Sequence, residues 1–277
     1  MIDQLLKESV TQLKNSGVDN PVREVRLMLA AILNTTHEQI LFNPPQILTS
    51  EQMNQLEDWV CRRCKREPLA KIIGKKEFWG RDFFVTKDTL DPRPDTETVI
   101  DVILNLASNN KPLRVLDLGT GSGCLILTLL AERPNWTGVG VDFSQAALAV
   151  AQENAENLNL SKRVMFVQSD WFQNVEGVFD VIISNPPYIA RDEVLSNETL
   201  HDPENALFAD DGGLADYRRM LESASRFLTP SGFIVFEIGY RQATAVIEIA
   251  QFFEFDLVSL HQDLAGHDRC LVFKNKR

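Results

Sequence analysis

An α/β architecture is expected for most of this chain: a mostly parallel, buried sheet with helices on both faces, preceded by a small all-α bundle. Two patterns predict it. From about residue 93 onward, apolar runs of strand length alternate with stretches of helical periodicity, as strands joined by crossover helices do. Residues 1–66 show apolar positions at helical spacing, broken by turn signals, with no strand-like run. The composition agrees: 277 residues, 44% hydrophobic and 24% charged, suffice for one large domain or two smaller ones. They exclude a chain too poor in apolar residues to bury a core.

In the first part, Ile2, Leu5, Leu6, Val10 and Leu13 lie at helical spacing until Gly17, and Pro21 opens a second helix with Val25, Leu29, Ile32 and Leu33. Two capping boxes follow, Thr36 with Gln39 and Thr49 with Gln52, the second before a helix carrying Met53, Leu56 and Val60 inward and expected to end at Pro68. Next, Phe78, Trp79, Phe83, Phe84 and Val85 flank a turn expected at Gly80, Arg81 and Asp82, which reads as a hairpin. Strands are then expected at 114–118, 138–142, 164–167, 179–183, 233–236 and 270–273. The expected division is a helical domain at 1–70, a hairpin linker at 71–92 and an α/β domain at 93–277.

The net charge of −11 is unevenly shared: residues 1–75 carry +1 and the remainder −12. Strong acidity argues against a protein that coats nucleic-acid phosphates, because that binding is driven by Lys and Arg displacing counterions. The densest basic run, Arg62, Arg63, Lys65 and Arg66, reads as a solvated last helical turn favoured by the macrodipole, or as a partner contact. Four cysteines are too few for a disulfide scaffold, and no signal peptide or membrane-length apolar stretch is seen. A soluble, cytoplasmic protein with reduced thiols is expected.

Three motifs carry chemistry. The first is the strand Val115–Leu118 running into Gly119, Thr120, Gly121, Ser122 and Gly123, with Asp117 just before it. Glycines at the carboxyl end of a strand allow a tight turn and close approach to a nucleotide-like ligand; the alternative is a tight turn with nothing bound. The second is Asp142, ending the next strand 19 residues after Gly123, where a carboxylate accepts hydrogen bonds from both ribose hydroxyls. Helix capping beside Ser144 is the competing role. After the third strand, Asp170 could edge an adenine and Trp171 cover its face, with a core role for Trp171 the alternative. The third motif is Asn185, Pro186, Pro187 and Tyr188, directly after a strand. Two prolines force the chain out of the sheet with stiff geometry. The Asn185 side-chain oxygen and the Pro186 carbonyl are then two acceptors able to grip one planar NH2 group, with Tyr188 against its flat face.

Together these residues resemble a class I S-adenosylmethionine-dependent methyltransferase acting on planar nitrogens. The segments Arg93-Pro-Asp-Thr-Glu97, Asn185-Pro-Pro-Tyr-Ile189 and Asp263-Leu-Ala-Gly-His-Asp-Arg269 are similar to those of the PrmC/HemK family, whose members methylate the glutamine of the Gly-Gly-Gln motif in peptide chain release factors. The resemblance covers the whole chain. It implies a Rossmann-like, mostly parallel seven-stranded sheet, S-adenosylmethionine as cofactor and S-adenosylhomocysteine as product. It implies no metal, and release factors as partners docked with help from the helical domain. A monomer without stable nucleic-acid or membrane binding is expected. The family usually has an aliphatic residue where this chain has Asp91, which touches the packing of that edge and not the motifs. For Arg93 and Glu97 the residues alone suggest capping of a helix beginning near Asp95, and the resemblance suggests shaping of the cofactor pocket.

The implied site assigns Gly119, Thr120, Gly121, Ser122, Gly123, Asp142, Trp171 and Asn185 to the cofactor, and Asn185, Pro186, Pro187 and Tyr188 to the substrate, with Asn185, Pro186 and Tyr188 as catalytic residues. An amide nitrogen is a poor nucleophile, so acceptors that fix it and stabilise its developing positive charge are what it needs. No general base is obvious. Cys61 and Cys64 lack a second nearby ligand pair for zinc, and His267 and Arg269 suit a polar loop as well as a catalytic one. Two other readings stay open: methylation of an adenine or guanine amino group in DNA or RNA, which requires base flipping and phosphate contacts, and a non-catalytic nucleotide-binding adaptor.

Overall fold

A computed structural model of the chain describes residues 2–107 and 111–276, with the backbone alone at residues 2 and 3. By their internal contacts the residues group into two units, Met1–Lys75 with Ser196–His201, and Lys76–Leu195 with Asp202–Arg277.

The first unit holds α1 (Ile2–Asn15), α2 (Pro21–Ile32), α3 (His37–Phe42), α4 (Ser50–Cys64) and α5 (Leu69–Ile73). Both capping boxes form: Thr36 and Thr49 accept from the backbone N–H of Gln39 and Gln52, whose side chains accept from the threonine N–H groups. Leu13, Met28, Leu29, Leu56 and Val60 are buried together, while Met53 is only partly covered. Pro68 does not end α4, which stops at Cys64; it opens α5 instead, since a proline φ of −58° is already set for a helix start. The basic run is only partly solvated: Lys65 is exposed, but the three arginines are paired and Arg63 is buried. Arg62 forks onto Glu67, Arg63 binds Glu24 at 2.6 Å and Glu198 at 2.9 Å, and Arg66 reaches Glu198 and the Gly17 carbonyl, each at 2.7 Å.

A hairpin follows, β1 (Lys75–Phe78) and β2 (Arg81–Phe84). Its turn is Trp79 and Gly80, one residue earlier than expected, with φ of 52° and 68°, the paired positive values of a two-residue hairpin turn. Arg81 and Asp82 therefore lie within a strand. Phe78 and Phe83 meet edge to face at 6.1 Å, and both are buried against the sheet's core.

The rest of the second unit runs α6 (Glu97–Leu106), β3 (Arg114–Leu118), α7 (Cys124–Glu132), β4 (Thr137–Asp142), α8 (Gln145–Asn157), β5 (Val164–Gln168), β6 (Phe179–Ser184), α9 (Glu204–Leu207), α10 (Asp210–Gly213), α11 (Ala215–Ala224), β7 (Leu228–Glu237), α12 (Ala243–Phe252), β8 (Phe255–Gln262) and β9 (Asp268–Asn275). Seven strands form one sheet in the order β5-β4-β3-β6-β7-β9-β8. The first five are parallel, and β9 is antiparallel to both its neighbours. Alternate residues fill two cores: Leu116, Leu118, Ile182 and Phe236 on one face, Val115, Val181, Ile183 and Val235 on the other. The chain winds outward from β3 to β4 and β5, then returns to place β6 on the other side of β3. Ligands of such sheets sit at the carboxyl ends of the strands where the winding reverses.

Candidate functional site

The cavity at that reversal has a volume of about 480 Å³, and its walls include Gly119–Ser122, Asp142, Trp171, Asn185 and Pro187. Ser184 Oγ donates to the Leu118 carbonyl at 2.7 Å, fastening the end of β6 to that of β3, so the Asn185 turn and the glycine loop leave the sheet side by side. Gly119 and Gly121 have φ of 72° and 55°, a region open to glycine at little cost. A Cβ on Gly121 would project into open space, while one on Gly119 would lie 3.6 Å from the Trp171 ring. The backbone of the loop is thus bare toward the cavity and roofed at one end by an indole.

Asp142 is split between two backbone donors: Oδ2 accepts from Gly121 N and Oδ1 from Ser144 N, each at 2.9 Å. Ser144 independently caps α8 by accepting from Ala147 N, so capping falls to the serine and the carboxylate faces the cavity. Burial raises the Asp142 carboxyl above its usual range, opposed by those backbone N–H groups. Asp117, almost wholly buried, is pushed up to about 7 by loss of water, against the opposing Thr120 hydroxyl bond at 2.7 Å.

Not every expected residue lines the cavity. Gly123 does not line it: its added Cβ would meet Leu127 at 2.9 Å and Ala151 at 3.3 Å, so this glycine lets α7 and α8 pack closely. Pro186 and Tyr188 are also outside the lining; Tyr188 is partly buried against the core on the α11 and α12 side of the sheet. Phe172 belongs to that core, stacked on Phe227 at 4.6 Å. Glu97 does not cap α6; its Oε1 accepts from Trp79 N at 2.8 Å and anchors the hairpin turn. Arg93 pairs with buried Asp202 at 2.6 Å and lines the cavity. Arg269 is buried, bound to Asp263 at 3.1 Å and Asp95 at 3.3 Å, so it is held inside the fold.

One wall had no counterpart in the motifs: Phe208–Asp210, Ala215, Asp216 and Arg219. Arg219 pairs with Asp170 at 2.7 Å; Asp216 is raised by burial, opposed by Arg219 and by the Trp171 side chain. The available signal was the run Asp210-Asp-Gly-Gly213, which marks a tight turn. Asp211, Gly212 and Gly213 all have positive φ, at 56°, 64° and 87°, and this turn lies between the lining residues Asp210 and Ala215.

A seven-stranded, mostly parallel sheet with its glycine loop and acidic strand end at the winding reversal is the class I methyltransferase fold. A methyltransferase structure from Pyrococcus furiosus shares that fold, with a TM-score of 0.54 at 18% identity, covering 81% of this chain and 98% of that one. Residues 4–74 match the family model described as PrmC N-terminal domain, and residues 95–254 match the methyltransferase small domain. A release factor glutamine methyltransferase of Cereibacter sphaeroides is 41% identical over 268 residues, covering 95% of each chain. A bifunctional methyltransferase of Rickettsia felis is 37% identical over 303 residues, covering 98% of this chain, which spans only 58% of that relative's length. The chain belongs to the release factor glutamine methyltransferase family.

Proposed function

We propose that this chain transfers a methyl group from S-adenosylmethionine to the side-chain amide nitrogen of the glutamine in the Gly-Gly-Gln motif of peptide chain release factors. The observation that carries this reading is the placement of Asn185 on the wall of the cavity that also contains the glycine loop and Asp142. The residues fit the cofactor. Bare backbone at Gly119 and Gly121 accepts a close ligand, Asp142 offers acceptors to ribose hydroxyls, and Trp171 and Asp170 edge a flat base. When bound, the cofactor supplies an electrophilic methyl group.

The chain's own residues do the rest. Asn185 Oδ1 and the Pro186 carbonyl accept hydrogen bonds from the substrate NH2, orienting its nitrogen and stabilising the positive charge that grows on it, where fixed dipoles act most strongly. Pro186 and Pro187 stiffen the turn, so these acceptors need little reorganisation. Tyr188 backs the turn from the core side. The catalytic unit's acidity favours a basic, loop-bearing protein over bare phosphate. The division into a helical docking domain and a catalytic domain, and a cytoplasmic location, belong to the same reading; among the described residues no helix is long and apolar enough to cross a membrane.

The test is methyl transfer from labelled cofactor to purified release factor, followed by mapping of the modified residue. Label on that glutamine supports the reading. Label on an adenine or guanine of nucleic acid, with none on release factor, overturns it.

A further inference from the structure

Three backbone groups from three segments converge on the side chain of Gln242, which lies at the start of α12. Its Nε2 donates to the Tyr188 carbonyl at 2.9 Å and to the Gly213 carbonyl at 3.4 Å, and its Oε1 accepts from Gly239 N at 3.0 Å. Two carbonyls require donors and one N–H requires an acceptor, so these partners fix which way the amide faces. The surrounding backbone comes close enough to require glycine at two of these positions. A Cβ on Gly213 would lie 2.1 Å from the Tyr188 oxygen and 2.7 Å from Gln242 Nε2; one on Gly239 would lie 2.9 Å from Gln242 Oε1 and 3.3 Å from Tyr188 Cδ2. The next residue is also gripped, because Ile189 N donates to Leu207 O and Ala209 N to Ile189 O, each at 3.0 Å. Gln242 thereby ties the Asn185–Tyr188 turn to the 208–213 wall and to the segment leaving β7, without itself lining the cavity.

We propose that Gln242 is a positioning residue for the methylation site, holding the Tyr188 carbonyl so that the Asn185–Tyr188 turn presents its acceptors in the direction the substrate amide needs. This rests on the reading of the cavity as an amide-methylation site. Glutamine suits the task because it offers a donor and an acceptor at the required reach. A glutamate has the reach but only acceptors when ionised, and it regains a donor when protonated. Methionine has similar length and offers no donor.

The test uses the full chain with release factor and S-adenosylmethionine, comparing the parent with Gln242→Met and Gln242→Glu in kcat, KM, S-adenosylhomocysteine affinity and melting temperature. Gln242→Met is expected to lower kcat by about 10- to 100-fold, the size of effect that a misaligned reacting group produces. Cofactor Kd should stay within about threefold, since the Gly119–Gly121 loop and Asp142 are not among the hydrogen-bond partners of Gln242. Gln242→Glu should be similarly slow at pH 8 and recover relative to the parent as pH falls toward 5, because its protonated carboxyl again donates to Tyr188 O. A residue that merely supports the fold would show losses that follow melting temperature, with no such recovery. Parental kcat in Gln242→Met, or a Gln242→Glu rate whose pH profile parallels the parent, overturns the inference. A parent inactive on release factor overturns the assignment of the substrate instead.

Discussion

Replacing Asp142 separates a cofactor-binding carboxylate from a helix cap. In the structure each carboxylate oxygen accepts one backbone N–H, from Gly121 and from Ser144, and each keeps acceptor capacity toward the cavity. Hydrogen bonds to a charged acceptor contribute roughly 1.5–3 kcal/mol each. Asp142→Ala removes both oxygens a ribose diol would use and also frees the Gly121 N–H that shapes the glycine loop. With about 3 kcal/mol of binding lost, S-adenosylhomocysteine should bind on the order of 100-fold more weakly. Asp142→Asn keeps the shape but turns one acceptor into an NH2 group facing a backbone N–H; about 10-fold weakening is expected. Isothermal titration of the full chain gives the affinities. The Ser144 cap on Ala147 N should keep α8 intact, so melting temperatures should stay close to the parent's. An Asp142→Ala affinity within about threefold of the parent would refute the ribose assignment.

Three further outcomes follow from packing and charge. Gly140→Ala on β4 places a Cβ 2.7 Å from two Phe166 ring carbons and 3.0 Å from Thr120 Oγ1, so thermal unfolding should show a loss of about 1–3 kcal/mol; an unchanged melting temperature would show that the strand yields freely. Arg63→Ala removes the Arg63 pairing of Glu24 at a largely buried position, while Glu198 keeps Arg66, and denaturant unfolding should show a cost of about 3 kcal/mol, with no loss contradicting the ion-pair account. Burial pushes the Glu237 carboxyl from an ordinary 4.5 to about 7, with Thr96, Arg269 and Arg93 opposing and Asp95 adding to the rise; it also faces Tyr188. The folded state then holds a proton that the unfolded state releases, so this contribution to stability is complete below about 4.5 and is lost as pH rises through about 7. Urea midpoints at pH 5 and pH 8 should fall less for Glu237→Gln than for the parent, and parallel shifts would contradict the raised carboxyl.

Much of this fold is legible because its strands are buried on both faces. Runs such as Val115–Leu118 and Phe179–Ile183 are apolar but for one aspartate each, Asp117 and Asp180, close to the near-continuous apolar run of a strand in the middle of a parallel sheet. The strand β8 was not anticipated, because Asp256–Gln262 is mostly exposed and has no apolar run to mark it. The glycine loop, Asp142 and Asn185 were legible since each stands at the end of a strand with chemistry that packing does not need. The packing at Gly123 is not legible, because a packing glycine and a ligand glycine look alike when only spacing is visible; the close approach of Leu127 appears only in the fold. The burial of Arg63 and the pairing of Arg63 and Arg66 are not legible because Glu198, which binds both, lies more than a hundred residues away in sequence. The 208–219 wall and Gln242 are not legible for a similar reason: Arg219 meets Asp170 and Gln242 meets the Tyr188, Gly213 and Gly239 backbone only once the tertiary fold brings these segments together.

In the proposed reaction Asn185 grips a glutamine amide of a release factor beside the bound cofactor. The most direct measurement is transfer of labelled methyl from S-adenosylmethionine to purified release factor by the parent chain and by Asn185→Ala, with the modified residue mapped by mass spectrometry and cofactor affinity measured alongside. Label is expected on the side-chain amide of the Gly-Gly-Gln glutamine with the parent, and a rate lower by about 100-fold or more for Asn185→Ala with cofactor binding retained. Label on another residue or on nucleic acid, or an Asn185→Ala rate equal to the parent's, would contradict it.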